Sequence, residues 1–229
     1  MMWKDDHELF SLVRKELFTA LVGDVLDQMG YLHQFLSPGL KPLVPSMVVI
    51  GRAMPVLEED ISAGTDNRAG HPFHNKPFGR MFEALDDLKE NEVYLCTGSF
   101  FPYALWGGLM TTRAVKLGAA GAVVNGYSRD TSEVIRLNFP VFSTGTYAQD
   151  QGPRGRVTGF RIPVEWDGIT IHPGDIIYGD RDGVLVVPRE AEKEAFMGAF
   201  EKARDEKLVL KALQSGMGAG EAFDKFGIM

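Results

Sequence analysis

Cysteine is almost missing from this chain: Cys96 is the only one in 229 residues. A lone thiol closes no intramolecular disulfide, which fits a reducing compartment and argues against secretion. Histidine is sparse and scattered at His7, His33, His71, His74 and His172. Only His71 and His74, three apart, suit zinc, and no third ligand has convincing spacing. Positive charge is also short. Lys plus Arg number 24 against 31 Asp plus Glu, a net charge of −7 with no basic block. That excludes direct nucleic-acid binding as the first expectation, and with it a polybasic grip on an anionic membrane. No apolar run approaches the roughly 18 residues of a membrane span. The start, MMWKDDHELF, has no apolar signal core. A cytoplasmic protein without a membrane partner is expected. There is no Walker glycine loop and no Gly-x-Gly-x-x-Gly after a strand, so ATP, NAD and a nucleotide methyl donor lack support.

The composition that remains is ordinary for a globular protein, 45% hydrophobic and 24% charged. A chain of this length buries a sizeable core without disulfides. Residues 8–29 carry apolar positions at spacings of three and four, with Thr19 and Gly23 as possible dividers into two helices and Gly30 as a stop. Residues 31–46 hold three prolines and read as loop. Met47 to Val56 reads as a strand with Gly51 as a possible bulge. Residues 58–79 are the least regular segment, and a long loop is more often functional than structural. Beyond it, Met81–Leu88, Gly108–Leu117 and residues 130–137 suit helices. They alternate with strands at Val93–Cys96, Ala122–Asn125 and Val141–Ser143. Such alternation favours parallel strands with helical crossovers. From Val157 to Val187 short strands separated by tight turns indicate an antiparallel region. Asp180 to Gly183 is one such turn, loosely like a calcium loop but without its further ligands. A helix from about Glu190 to Gln214 would extend roughly 37 Å. Part of so long a helix is expected on a neighbouring subunit. The sum is one α/β layered domain over 1–229, with an N-terminal arm over 1–15 and a C-terminal helical arm over about 190–229.

Residues 107–134, GGLMTTRAVKLGAAGAVVNGYSRDTSEV, hold the most chemistry. Gly107-Gly108 opens a helix whose first N–H groups are unobstructed, and such a start binds carboxylate or phosphate. The strand Ala122–Asn125 runs out at Gly126 to Asp130, where open α/β sheets place ligands. Arg129 offers a cation for a carboxylate, and Asp130 an anion for a metal. Glu133 shares a helix face with Asp130 if a helix starts there. Two acids and waters suit Mg²⁺ or Mn²⁺. The plainer account stays open: Asp130 as a helix N-cap, Arg129 as its surface neighbour, Gly107-Gly108 as a turn. Phe100, Phe101, Tyr103 and Trp106 precede this segment as pocket wall or core. Cys96, after strand residues Tyr94 and Leu95, reads as a buried inert thiol.

Residues 107–134, with PVFSTG at 140–145, PGDIIYGDRDGVLVVP at 173–188, TALVGDVLDQMG at 19–30 and GRAMPV at 51–56, resemble one family. It is the family shared by the regulator of ribonuclease activity A (RraA) and the 4-hydroxy-4-methyl-2-oxoglutarate / 4-carboxy-4-hydroxy-2-oxoadipate aldolases. The resemblance runs from about residue 15 to the end. It implies a swivelling β/β/α fold, a homo-oligomer (trimer or dimer of trimers) and active sites between subunits. It implies Asp130 as ligand of Mg²⁺ or Mn²⁺ and Arg129 as stabiliser of a pyruvate enolate. Gly107, Gly108, Leu109 and Met110 would form an amide cradle for the carboxylate of a small 2-oxo acid substrate. Glu206 is the positional match for an acid lent by the adjacent subunit; pairing with Lys202 or Lys207 is the equal alternative. Asp24 falls in the family's first helix, as pocket wall or cap.

One position departs. Twenty residues separate Gly108 from Arg129, so Gly108 stands where the aldolases carry their first Asp. What remains is Gly-x20-Arg-Asp-x2-Glu, closer to RraA-type members, with Glu133 as a possible replacement. Retro-aldol cleavage takes a proton from the C4 hydroxyl, whereas decarboxylation of oxaloacetate needs only an electron sink. The expected function is a metal-dependent carbon–carbon lyase doing one or both. The alternative is an RraA-type regulator that binds a ribonuclease without catalysis.

Overall fold

The computed structural model describes residues 3–61 and 78–228. His71, His74 and most of the irregular 58–79 segment lie outside the described residues. The chain begins with helices α1 (Asp6–Glu16) and α2 (Thr19–Gln28), then strands β1 (Lys41–Pro42) and β2 (Val49–Asp60). Next come α3 (Met81–Asp86), β3 (Glu92–Thr97), β4 (Ala104–Trp106), α4 (Gly108–Lys116), β5 (Gly121–Val124), β6 (Tyr127–Ser128) and α5 (Thr131–Arg136). After these come β7 (Val141–Ser143), β8 (Gly145–Thr146), β9 (Gly155–Phe160), β10 (Val164–Trp166), β11 (Ile169–Ile171), β12 (Ile176–Gly179) and β13 (Val184–Val187). Helices α6 (Glu192–Gln214) and α7 (Ala219–Phe226) end the chain. These elements fall into two compact units, residues 1–32 with 190–229, and residues 33–189.

The helical unit is built on amphipathic stripes. Asp5 caps α1 by accepting from the Glu8 N–H at 2.9 Å. The helix ends at Leu17 and Phe18, both in extended backbone, so the division falls just before Thr19. Leu9, Phe10 and Val13 of α1, Val22 and Leu26 of α2, and Phe196, Ala199 and Phe200 of α6 are buried. Each large apolar side chain so buried contributes about 1.5–3 kcal/mol. Gly198 lets α6 approach α2 closely, since a Cβ there would meet Val25 Cγ1 at 2.9 Å. Asp24 is ion-paired with Lys202. Gly216, at φ 97, follows the end of α6.

The second unit is a mixed sheet in the order β1-β7-β5-β3-β2-β12-β13, with β9 also on β2. The neighbours β2–β3–β5–β7 are parallel, as the alternating middle of the chain predicts. β12, β13, β9 and β1 join antiparallel. Period-two alternation sorts side chains into two layers. Tyr94, Cys96, Ala122 and Val124 face a core shared with α3, α4, α5 and Trp106. Val93, Leu95, Val123 and Ile177 face the other way, onto Val164, Trp166 and Ile171 of the β10–β11 hairpin. Sheet between hairpin and helices is the layered α/β fold expected, and the C-terminal helix is present.

Some local expectations are revised and the turn at 180–183 is borne out. Gly51 is no bulge; the irregularity falls between Leu57 and Glu58. Gly51 is there because a Cβ would run into the Asn91 carbonyl oxygen. In the antiparallel region β9 and β10 are separate strands, divided where Arg161 takes φ 55 before Pro163. The 180–183 segment is a hairpin turn, closed by Asp180 N–H to the Gly183 carbonyl at 3.0 Å. No helix among the described residues is long and apolar enough to cross a membrane.

Candidate active site

Three short strands, β4, β6 and β8, form a separate parallel sheet in the order β4-β6-β8. β4 leads directly into α4, and β6 leads through Arg129 and Asp130 into α5. Two strand ends and two helix starts therefore meet at one place, the position where such sheets bind ligands. The Arg129 N–H donates to the Trp106 carbonyl at 2.9 Å, which fixes the exit of β6 beside that of β4. Trp106 is buried against Tyr94 and Phe139, and its Nε1 donates to Thr111 Oγ1 at 2.7 Å. Thr111 Oγ1 in turn donates to the Gly107 carbonyl at 3.0 Å, locking the start of α4.

Asp130 has φ 54 and ψ 36, a left-handed conformation that Asp and Asn tolerate better than most residues. This turn aims its carboxylate back at α4, where Oδ2 accepts from the Gly108 N–H at 3.0 Å. The two glycines have separate reasons. A Cβ at Gly107 would sit 2.9 Å from Asp130 Oδ2, so this glycine makes room for the carboxylate. A Cβ at Gly108 would meet Glu133 Cγ at 3.0 Å and Asp130 Cβ at 3.3 Å. The position where the aldolases carry their first Asp is thus crowded by the stem of Glu133. The Glu133 carboxylate itself is turned to Arg136, at 2.5 and 3.1 Å. That guanidinium holds the carboxyl below the usual carboxylate range.

A cavity of about 270 Å³ opens over this corner. Gly107, Leu109, Met110, Arg129 and Asp130 line it, so most of the sequence-derived set is brought together. Gly108 and Glu133 are not among its lining residues. The Gly108 amide is spent on Asp130, leaving Leu109 and Met110 to present the N–H groups that precede the first intrahelical bond, Thr111 to Gly107. Glu206 lies half-buried on α6, in the helical unit.

Two polar lining residues had no signal in the sequence: Asp150 and Gln151, from the irregular stretch between β8 and β9. Asp150 Oδ1 is 3.0 Å from Arg129 Nη2, with both side chains about 40% exposed (38% and 43%). A pair this exposed is worth no more than about 1 kcal/mol, so an incoming anion displaces it cheaply. The Gln151 amide Nε2 donates to both oxygens of Glu58 at 2.8 Å. Glu58 is fully buried, and burial pushes its carboxyl up to about 8. Hydrogen bonds from Gln151 and Tyr103 oppose that rise, and the Asp60 charge adds to it. Tyr103 Oη lies 2.8 Å from Asp60 Oδ1 and 3.2 Å from Glu58 Oε1. One phenol has one hydrogen, so when the shorter contact is the donation, the longer one needs the proton on Glu58. Phe78, Met81, Phe82 and Leu85 add an apolar wall to the same lining. Of the four aromatics before α4, Tyr103 and Trp106 are buried in the core, Trp106 also lining the cavity, whereas Phe100 and Phe101 are exposed. Cys96 is buried, and burial pushes its thiol up, as an inert core thiol requires.

The donor chemistry fits a hard divalent ion. Asp130 and Asp150 supply carboxylate oxygens to one cavity. Among the described residues no three or more His, Cys, Asp or Glu are grouped so that they could hold a metal ion by themselves. Mg²⁺ commonly keeps several waters and takes only one or two protein carboxylates beside substrate oxygens.

Comparison with known proteins identifies the family. The RraA-like family (Aldolase/RraA) matches residues 19–186. Protein DlpA of Legionella pneumophila is 30% identical over 199 residues, 86% of this chain but only 30% of DlpA. A Halalkalibacterium halodurans protein named as a putative 4-hydroxy-4-methyl-2-oxoglutarate aldolase is 34% identical over 211 residues, 90% of this chain and 89% of its own. A crystal structure from Streptomyces coelicolor, described as an unusual member of the RNase ES inhibitor RraA protein family, superposes with a TM-score of 0.73. It is 25% identical and covers 90% of this chain and 98% of its own. With the family pattern spanning both the parallel strands and the Arg129-Asp130 corner, the chain belongs to the RraA-like family.

Proposed function

We propose that this protein is a carbon–carbon lyase acting on 2-oxo acids with a pyruvate core, with a divalent ion, Mg²⁺ or Mn²⁺, as cofactor. The observation that carries the reading is the convergence of Arg129, Asp130 and the free first-turn amides of α4 on one small cavity. The naming of several relatives as aldolases supports the same class. Asp130 would hold the ion, with Asp150 the nearest candidate for a second oxygen. The ion would supply electrophilic pull on the substrate's keto and carboxylate oxygens. The Leu109 and Met110 amides bind the carboxylate at the positive end of the helix. Arg129, released from Asp150, neutralises the charge that develops as the bond to C3 breaks. Loss of CO₂ from oxaloacetate asks for nothing further. Retro-aldol cleavage also asks for an acceptor of the C4 hydroxyl proton, the role opened by Gly108. Glu206 from a neighbouring copy in a trimer or dimer of trimers remains part of this proposal, as does Glu133 if it leaves Arg136.

The test is pyruvate release from oxaloacetate and from 4-hydroxy-4-methyl-2-oxoglutarate, with EDTA and then with Mg²⁺ or Mn²⁺ restored, corrected for metal-only decarboxylation. Metal-dependent release is expected from oxaloacetate at least. Silence on both, with either metal, would sink the lyase reading.

Gly108→Asp separates the two reactions. The added Cβ would meet Glu133 Cγ at 3.0 Å and the Cβ atoms of Asp130 and Glu133 at 3.3 Å, contacts that ask for shifts of a few tenths of an ångström, and an acid in the first turn suits the helix dipole. The variant is expected to melt within roughly 4 °C of the parent. It should raise aldol cleavage relative to decarboxylation. An unchanged ratio would show that position 108 does not set the balance.

A further inference from the structure

The cavity is chemically lopsided. Resting on the lyase reading, we infer that the preferred substrate has one carboxylate, on its pyruvate half, and an apolar aryl or alkyl group at C4. Among the described residues lining the cavity, Arg129 is the one cation. Other arginines beside the lining are engaged, Arg154 among them, whose Nη1 donates to the Asp150 carbonyl at 2.9 Å. Arg80 is paired with Glu83 at 3.0 Å and lies over the Phe160 ring. Arg113 is paired with Asp86 at 2.7 Å. If the α4 amides take the pyruvate carboxylate and Arg129 the developing enolate, a second carboxylate meets no further cation among the described lining residues. With Asp130 and Asp150 assigned to the ion, the side chains left to meet it include the apolar wall of Phe78, Met81, Phe82 and Leu85. Gln151 is no substitute donor, because its amide is committed to both oxygens of Glu58. An anion placed on that wall forfeits its hydration without a partner. An apolar substituent gains there instead, from removal of its surface from water and from the Phe78–Phe82 pair, whose rings stand edge-to-face at 5.6 Å. A cavity near 270 Å³ suits a small substrate. Oxaloacetate is compatible only as a probe, since its second carboxylate departs as neutral CO₂.

In the cleavage, the C4 hydroxyl proton leaves, the C3–C4 electron pair becomes the pyruvate enolate, and the C4 oxygen becomes the carbonyl of the second product. Protonation at C3 then gives pyruvate, so the released fragment is an apolar aldehyde or ketone.

Two measurements test this on the full-length protein with Mg²⁺. The first compares kcat/KM for pyruvate release from 4-hydroxy-2-oxo-4-phenylbutanoate and 4-hydroxy-4-methyl-2-oxoglutarate. The second compares equilibrium binding of the uncleavable 2-oxo-4-phenylbutanoate and 2-oxoglutarate by calorimetry. The phenyl compound is expected to win each by at least tenfold. Parity, or preference for the dicarboxylate in a protein that does release pyruvate, overturns the inference and leaves the lyase reading standing. No binding of either 2-oxo acid and no release even from oxaloacetate would take both down. Phe82 is 55% exposed, so Phe82→Arg puts a cation on the wall at little cost to folding. That variant should move the ratio at least tenfold towards the dicarboxylate. An unmoved ratio would show that the wall does not touch the C4 group.

Discussion

Asp130→Asn is expected to cut metal-dependent pyruvate release by about 10³-fold while leaving the melting temperature nearly unchanged. The loss follows from charge. A hard ion is held by anionic oxygen, and the electrophilic assistance it brings is worth several kcal/mol. The preserved stability follows from local geometry. Asparagine tolerates the left-handed backbone that Asp130 adopts, and its amide oxygen still accepts the Gly108 N–H. Asp130→Ala would confuse the two effects, because it strains position 130 and orphans that amide. Steady-state kinetics across a Mg²⁺ titration, beside a thermal melt, measures both. Turnover within tenfold of the parent at saturating metal would remove Asp130 from the chemistry.

The second large effect concerns stability rather than turnover. Glu58 binds its proton more tightly folded than unfolded, its carboxyl rising from 4.5 to about 8 through burial. Between those values the folded state holds a proton that the unfolded chain has released. Unfolding is therefore favoured as pH rises through this window, at ~1.4 kcal/mol per unit and up to ~5 kcal/mol in all. The contribution is fully present below about pH 4.5 and gone above about pH 8. Thermal melts of the wild type should fall by roughly 10 °C from pH 5 to pH 8.5 relative to Glu58→Gln, which has no proton to lose. Parallel curves for the two proteins would show that Glu58 folds in its charged form. The same proton bears on the cavity, because Gln151 joins the Glu58 carboxyl to the lining and Asp150 beside it meets Arg129.

Much of the fold was legible because periodicity reports burial directly. The spacings of three and four in residues 8–29 and the alternation after residue 90 became helices and parallel strands within a few residues of where they were expected. β4, β6 and β8 were not legible. Each has two or three residues, too few for a period of two to register, and each is held by its neighbours rather than by its own pattern. The continuation of β2 to Asp60 was hidden for a different reason. Glu58, Glu59 and Asp60 look like a solvated loop, yet Glu58 is among the most buried residues of the chain.

The candidate site divides in the same way. Gly107-Gly108 and Arg129-Asp130 were visible as local chemistry, since a helix start and a strand end each carry their function in adjacent residues. Which groups surround them was decided by the tertiary structure. Chain folding brings Asp150 to Arg129 across 21 residues and Gln151 to Glu58 across 93. It also brings phenylalanine and methionine side chains into the same lining. It turns Glu133 away to Arg136 and gives the Gly108 amide to Asp130. Residue order along the chain settles element type and the class of chemistry, because both depend on neighbours within a turn or a strand. Partners, protonation and the polarity of the cavity depend on distances through space between segments that share no local signal, and only the packed structure sets those.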